Sequence, residues 1–209
     1  MSRFADARAT WDDRYAGESY HFGTAPNRFV AAQAHRLAPG SQVLCVADGE
    51  GRNSVWLAGQ GHAVTAFDAS PRAVAKAARL AADRGVTVAF HEADITDWPW
   101  RRQRYDAVVA IFIQFLPPAS RSAVFAGLRA AVRPGGLVLL QGYRPEQVDY
   151  GTGGPPRREH MYTAAWLRQE FAGWEILHLA EHDSEIEEGR GHRGRSALVD
   201  LVARRPAAA

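Results

Sequence analysis

At 209 residues, 46% of them hydrophobic and 23% charged, the chain is long enough for one α/β domain with its own core, and no second domain is expected. A net charge of +2 with scattered basic residues leaves no footprint for nucleic acid. Cys45 is the only cysteine, which excludes an internal disulfide; no apolar run approaches the ~18 residues of a membrane span, and the start M-S-R-F-A-D-A-R has no apolar leader, so a cytoplasmic protein with no membrane partner is expected.

Residues 8–20, R-A-T-W-D-D-R-Y-A-G-E-S-Y, suit a short helix that breaks near Gly17. Asn27 caps a helix over 28–37 with Phe29, Val30 and Leu37 on its apolar side. Pro39-Gly40 turns the chain into a first strand, 43–47, followed by a helix over 53–58 and a second strand over 63–68. Pro71 opens an alanine-rich helix over 72–84, and Gly85 closes it. Strands follow at 87–91 and 105–113; the latter is continuously apolar, as a sheet covered on both faces requires. Between them Trp98-Pro99-Trp100 and the basic run 101–104 read as a loop. A helix over 120–132 is stopped by Arg133-Pro134-Gly135-Gly136 before a strand at 137–143.

The rhythm then changes. Residues 144–160 are rich in Gly, Pro and charge, without periodicity, and read as a long loop. A helix over 163–171, a strand over 174–180, a polar loop over 181–195 and a last strand over 197–203 complete the chain. Five βα-type steps and two strands joined without a long crossover predict a Rossmann-like, doubly wound α/β fold: a mostly parallel seven-stranded sheet ending in an antiparallel hairpin. A single domain over 1–209 is expected, with a helical lid at 1–38 and a core at 39–205.

The stretch from Val43 to Asp68 carries the first chemical signal. A strand meets the turn Gly49-Glu50-Gly51, a helix starts near Asn53, and a second strand ends on Asp68, about 20 residues beyond the first turn glycine. Such a turn brings bare backbone to a ligand, and an acid at that spacing accepts from ribose hydroxyls. A nicotinamide dinucleotide is one candidate, but Asp48 and Glu50 in the turn repel a pyrophosphate. An adenosine ligand with a positive centre suits the turn better.

Here the chain resembles the class I S-adenosylmethionine-dependent methyltransferases, over roughly residues 40–145 and the terminal hairpin. The family pattern places an acid and three alternate glycines where this chain has Cys45, Ala47, Gly49 and Gly51, with Asp48 as a neighbouring carboxylate. The resemblance implies ribose contacts at Asp68, followed by Ala69 and Ser70, and adenine-edge contacts at Asp94 and Ile95. It also implies that the end of the fourth strand, at Ile111, lines the methionine and substrate side. The N-terminal W-D-D-R-Y and Y-H-F-G-T-A-P-N are similar to the lid of the tellurite-resistance and thiopurine methyltransferases, which points to Trp11, Arg14, Tyr15 and Tyr20. The implied cofactor is S-adenosylmethionine, with a small-molecule acceptor and a monomer or homodimer as assembly.

Methyl transfer from a sulfonium is an in-line displacement that needs alignment and dryness more than a catalytic group. His21 in the lid and His192 among Gly189, Gly191 and Gly194 are the candidate bases or positioning groups, with His160 behind them. Each also suits an ordinary loop histidine. Phe112 and Phe115 are packing residues or the border of a substrate pocket. No close His, Cys or acid pair has metal-ligand spacing. The competing readings are a module that binds the cofactor without catalysis and a nicotinamide-dependent oxidoreductase.

Overall fold

A computed structural model describes residues 5–100 and 102–207, with side chains from Arg8 onward except that of His192. Its centre is one seven-stranded sheet. In chain order the strands are β1 (Gln42–Val46), β2 (Ala63–Asp68), β3 (Ala89–Glu92), β4 (Tyr105–Ile111), β5 (Val132–Tyr143), β6 (Glu175–Glu188) and β7 (His192–Arg204). They lie in the order β3-β2-β1-β4-β5-β7-β6. The first five are parallel, and β7 runs antiparallel to both neighbours. The chain winds one way from β1 to β3 and the other way from β4, so a crevice opens at the carboxyl ends of β1 and β4.

The helices are α1 (Ala5–Arg14), α2 (Arg28–Gln33), α3 (Arg52–Gly59), α4 (Pro71–Asp83), α5 (Pro118–Ala131), α6 (Gln147–Tyr150) and α7 (Ala164–Glu170). Their starts follow local chemistry. Asn27, Ser70 and Thr163 accept from the backbone N–H of Val30, Ala73 and Trp166, each at 3.1 Å. Pro71 stands in the first turn of α4, where its missing N–H costs nothing. Side chains on the central strands alternate between two cores. Leu44, Val46, Val108 and Leu140 pack on one face; Val43, Cys45, Val109 and Leu139 pack on the other.

Three expectations need correction. Residues 181–195 form no loop: they extend both terminal strands, and the ladder continues to Glu188 opposite His192, leaving 189–191 as the turn. Their inward side chains are His182, Ser184, Ile186 and Glu188, so the alternation is present but mostly polar. Arg133-Pro134-Gly135-Gly136 does not separate a helix from a strand; β5 already pairs at Val132 with Tyr105, then resumes at Leu137 with Ala107, and the four residues bulge between. The long segment 144–160 contains α6 and a 3₁₀ turn, Arg158–His160, with the buried Gln147 amide accepting from the Ala197 N–H at 2.8 Å.

Candidate functional site

The crevice is a cleft of about 300 Å³ at the ends of β1, β2 and β4, roofed by α1. Of the expected cofactor residues, Trp11, Ala47, Asp48, Gly49, Asn53, Asp68, Ala69, Asp94, Ile95 and Ile111 line it. Gly49 sits at φ +61°, and a Cβ there would stand 3.0 Å from the Tyr15 hydroxyl oxygen. Asp68 accepts the Gly49 N–H on one oxygen and the Ser70 N–H on the other, both at 2.9 Å. Burial raises its carboxyl above the ordinary value, and those N–H bonds oppose the rise.

Other expected residues lie elsewhere. Gly51 faces α4, where a Cβ would come within 2.7 Å of the Ala77 methyl; its lack of a side chain serves helix packing. Ser70 caps α4 and donates its hydroxyl to Asp12 at 2.6 Å, which docks the end of α1 on that helix. Tyr20 points away from the cleft, donating to the Lys76 carbonyl at 3.2 Å. Arg14 stacks its guanidinium on Trp11, 4.5 Å from the ring centroid.

The two histidines are placed differently from the expectation. The His21 imidazole packs against Gly191 and the Phe22 ring and is not part of the cleft wall. Burial lowers its pKa, so it is neutral at pH 7. His192 opens β7, and its side chain lies outside the described residues. His160 closes the 3₁₀ turn, also away from the cleft.

Several wall residues were missed. Arg8, Arg52, Phe22, Phe67, Thr96, Leu116 and Ser120 all reach the cleft, as do Tyr15, Phe112 and Phe115. Arg8, Trp11 and Tyr15 are spaced by three and four, so helical geometry puts them on one face. Trp11, Tyr15 and Phe22 form a roof with ring centroids 5.8 to 6.4 Å apart. Two non-glycine residues with positive φ stand at the crevice: Ala47 at +46° after β1 and Phe112 at +55° after β4. The Phe112 ring stacks on Tyr143 at 4.6 Å. Strain of this kind collects where a side chain must be aimed at a ligand.

The acidic character of the turn also changes. Glu50 does not face the cleft; it is buried against Lys76 and accepts the His21 N–H at 2.6 Å. Asp48 and Asp68 are therefore the two carboxylates beside the turn. Trp98 stacks on Phe67 at 4.2 Å, and Trp100 packs against Gly127, so both indoles lie partly buried against the core. Among the described residues, no group of His, Cys, Asp or Glu could hold a metal ion, and no helix is long and apolar enough to cross a membrane.

Comparison with known proteins agrees with this architecture. Residues 43–136 match the family described as "Methyltransferase domain". The chain is 31% identical over 225 aligned positions to a thiopurine S-methyltransferase of Pseudomonas putida, covering 94% of this chain and 97% of that protein. An uncharacterized protein of Mycobacterium tuberculosis is 31% identical over 115 residues, 54% of this chain and 41% of that protein, so the chain spans about two fifths of the length of that relative. Among solved structures, the N-methyltransferase NodS from Bradyrhizobium japonicum in complex with S-adenosyl-L-homocysteine superposes with a TM-score of 0.73 at 13% identity, covering 95% of this chain and 98% of that one.

Proposed function

The chain belongs to the S-adenosylmethionine-dependent methyltransferases, and from that premise we propose that it moves a methyl group to a small-molecule nucleophile. The donor set fits the cofactor. A bare glycine at position 49, two carboxylates and an aromatic roof suit a nucleoside that carries positive charge. When bound, S-adenosylmethionine supplies an electrophilic methyl group on sulfur. Asp68 would hold the ribose, Asp94 and Ile95 the adenine edge, and Asn53 and the turn the amino-acid half. Trp11, Tyr15 and Phe22 exclude water, which is the larger part of the catalytic task for a displacement with a neutral leaving group.

One observation carries the acceptor class. The wall made by Phe22, Ile111, Phe112, Phe115 and Leu116 is apolar, and among the described residues these five side chains carry no group that removes a proton. The acceptor then brings a nucleophile that is already competent near neutral pH: an ionised thiol, a chalcogen oxyanion or an unprotonated amine. His21, neutral and turned to the hairpin, serves position instead of proton transfer. Labelled methyl transfer to a panel of thiols, phenols, amines and chalcogen oxyanions tests this. Transfer to thiols or oxyanions is expected; cofactor binding with transfer to none of them would favour a binding module over an enzyme.

A further inference from the structure

We propose that Asp48 is the counter-charge that receives the α-ammonium group of the cofactor, an inference that rests on the methyltransferase assignment. Three acidic residues line the cleft: Asp48, Asp68 and Asp94. Asp68 already accepts a backbone N–H on each oxygen. Asp94 is exposed and turns one oxygen back to the Thr96 N–H and hydroxyl. Asp48 differs from both. Among the described residues its carboxylate accepts from Ser54, hydroxyl and backbone, and the residue is part-buried on the cleft wall. The two guanidinium groups on the cleft wall are engaged elsewhere, Arg8 with Glu92 and Arg52 with Glu188.

The strand order places Asp48 suitably. Asp94 follows β3, Asp68 ends β2, Asp48 follows β1, and Ile111 ends β4. An adenosine with its ribose at Asp68 and its base toward Asp94 has Asp48 on its other side. The position that holds an acid in the resembling family is Cys45, a buried thiol four residues before Gly49. The negative charge has moved from the strand to the turn.

The surroundings of Asp48 also couple binding to protons. Burial pushes its carboxyl up to about 7; Asp68 on β2 adds to the rise, and Ser54 and Arg52 on α3 oppose it. The neighbour on β1 is Cys45, whose thiol burial keeps protonated. The free protein therefore carries a proton on Asp48 below neutrality, and an arriving ammonium expels that proton to solvent. Affinity rises with pH and levels off above about 7; one pH unit lower, binding is about tenfold weaker.

Calorimetry with S-adenosylhomocysteine and with 5′-methylthioadenosine separates the charge from the nucleoside. The first keeps the ammonium without the sulfonium, and the second lacks the amino-acid half. The wild-type protein is expected to bind S-adenosylhomocysteine about tenfold more weakly one pH unit below the midpoint, with proton release seen in buffers of different ionisation heat. Methylthioadenosine should show neither effect. Asp48→Asn should lose at least about tenfold in S-adenosylhomocysteine affinity together with its pH dependence, yet hold methylthioadenosine as before. Unchanged S-adenosylhomocysteine binding by Asp48→Asn, or an equal loss for both ligands, would overturn the proposal. Binding of neither ligand by the wild-type chain would instead overturn the methyltransferase assignment beneath it.

Discussion

Two buried ion pairs flank the glycine turn, and they are tied to the fold in opposite ways. Glu50 and Lys76 close on backbone: Lys76 also donates to the Gly17 and Ser19 carbonyls at 2.9 and 2.7 Å, and Glu50 accepts the His21 N–H. Arg52 and Glu188, 2.8 Å apart, open into a chain of side chains. Asn27 donates to Glu188 and Gln141, Gln141 donates to Asp200, and His182 meets Asp200 at 3.0 Å. The first pair fastens the N-terminal segment to α4; the second fastens the hairpin to the sheet. The difference teaches where tolerance lies. Backbone groups cannot be re-aimed when their partner goes, whereas a side-chain network beside a cleft can repack or take up water.

The largest expected effect is therefore on the backbone-tied pair. Lys76→Met strands a buried carboxylate and two carbonyls, and should cost about 3–5 kcal/mol in denaturant unfolding. Adding Glu50→Gln should recover part of that loss; no recovery would mean that the lysine acts through its carbonyl bonds alone. Glu188→Gln keeps the shape and the amide contacts but removes the charge facing Arg52, whose guanidinium has the cleft to solvate it. A loss of about 2 kcal/mol is expected, smaller than for Lys76, and the reverse order would sink the comparison. Asp200→Asn, at the far end of the chain, should cost about 1 kcal/mol, read by thermal unfolding. Ala47→Gly lies between the two pairs and should change sign: relieving a left-handed alanine should raise stability by about 1 kcal/mol. Destabilisation there would mean that the Ala47 methyl packs against something worth more than the strain.

The same contrast decides what was legible in the sequence. The strands β1, β2 and β4 show themselves by apolar runs, and the observed bounds of β2 are those expected, Ala63–Asp68. The hairpin hides because His182, Ser184 and Glu188 point inward while Glu181, Asp183, Glu185 and Glu187 point outward, so both faces are largely polar. What those inward groups bond to is far away in sequence: Glu188 reaches Asn27 across 161 positions. Asp48, Gly49 and Asp68 could be placed on the cleft because turn chemistry is local. Arg52 could not, since its direction depends on a distant carboxylate, and Phe112 stood open between packing and pocket because its aim depends on an unusual backbone angle. Tyr20 was misplaced because an aromatic beside a lid segment packs on α4 as readily as on a ligand.

The hairpin tip shows how closely its two strands and the N-terminal segment are matched. The Arg190 N–H reaches the His21 carbonyl at 2.8 Å, and a Cβ on Gly189 would fall 2.3 Å from that oxygen. Both buried pairs thus converge on the segment around His21, one from α4 and one from the hairpin.

Lys76 is the only lysine of the chain, and it is sealed beneath residues 17–21. The folded protein consequently offers amine-directed reagents no readily accessible side-chain target. Acylation at Lys76 proceeds only in those moments when the segment above it lifts, so its rate is a built-in clock for that opening. Slowing of the clock by a bound nucleoside would report closure of the roof with no label introduced.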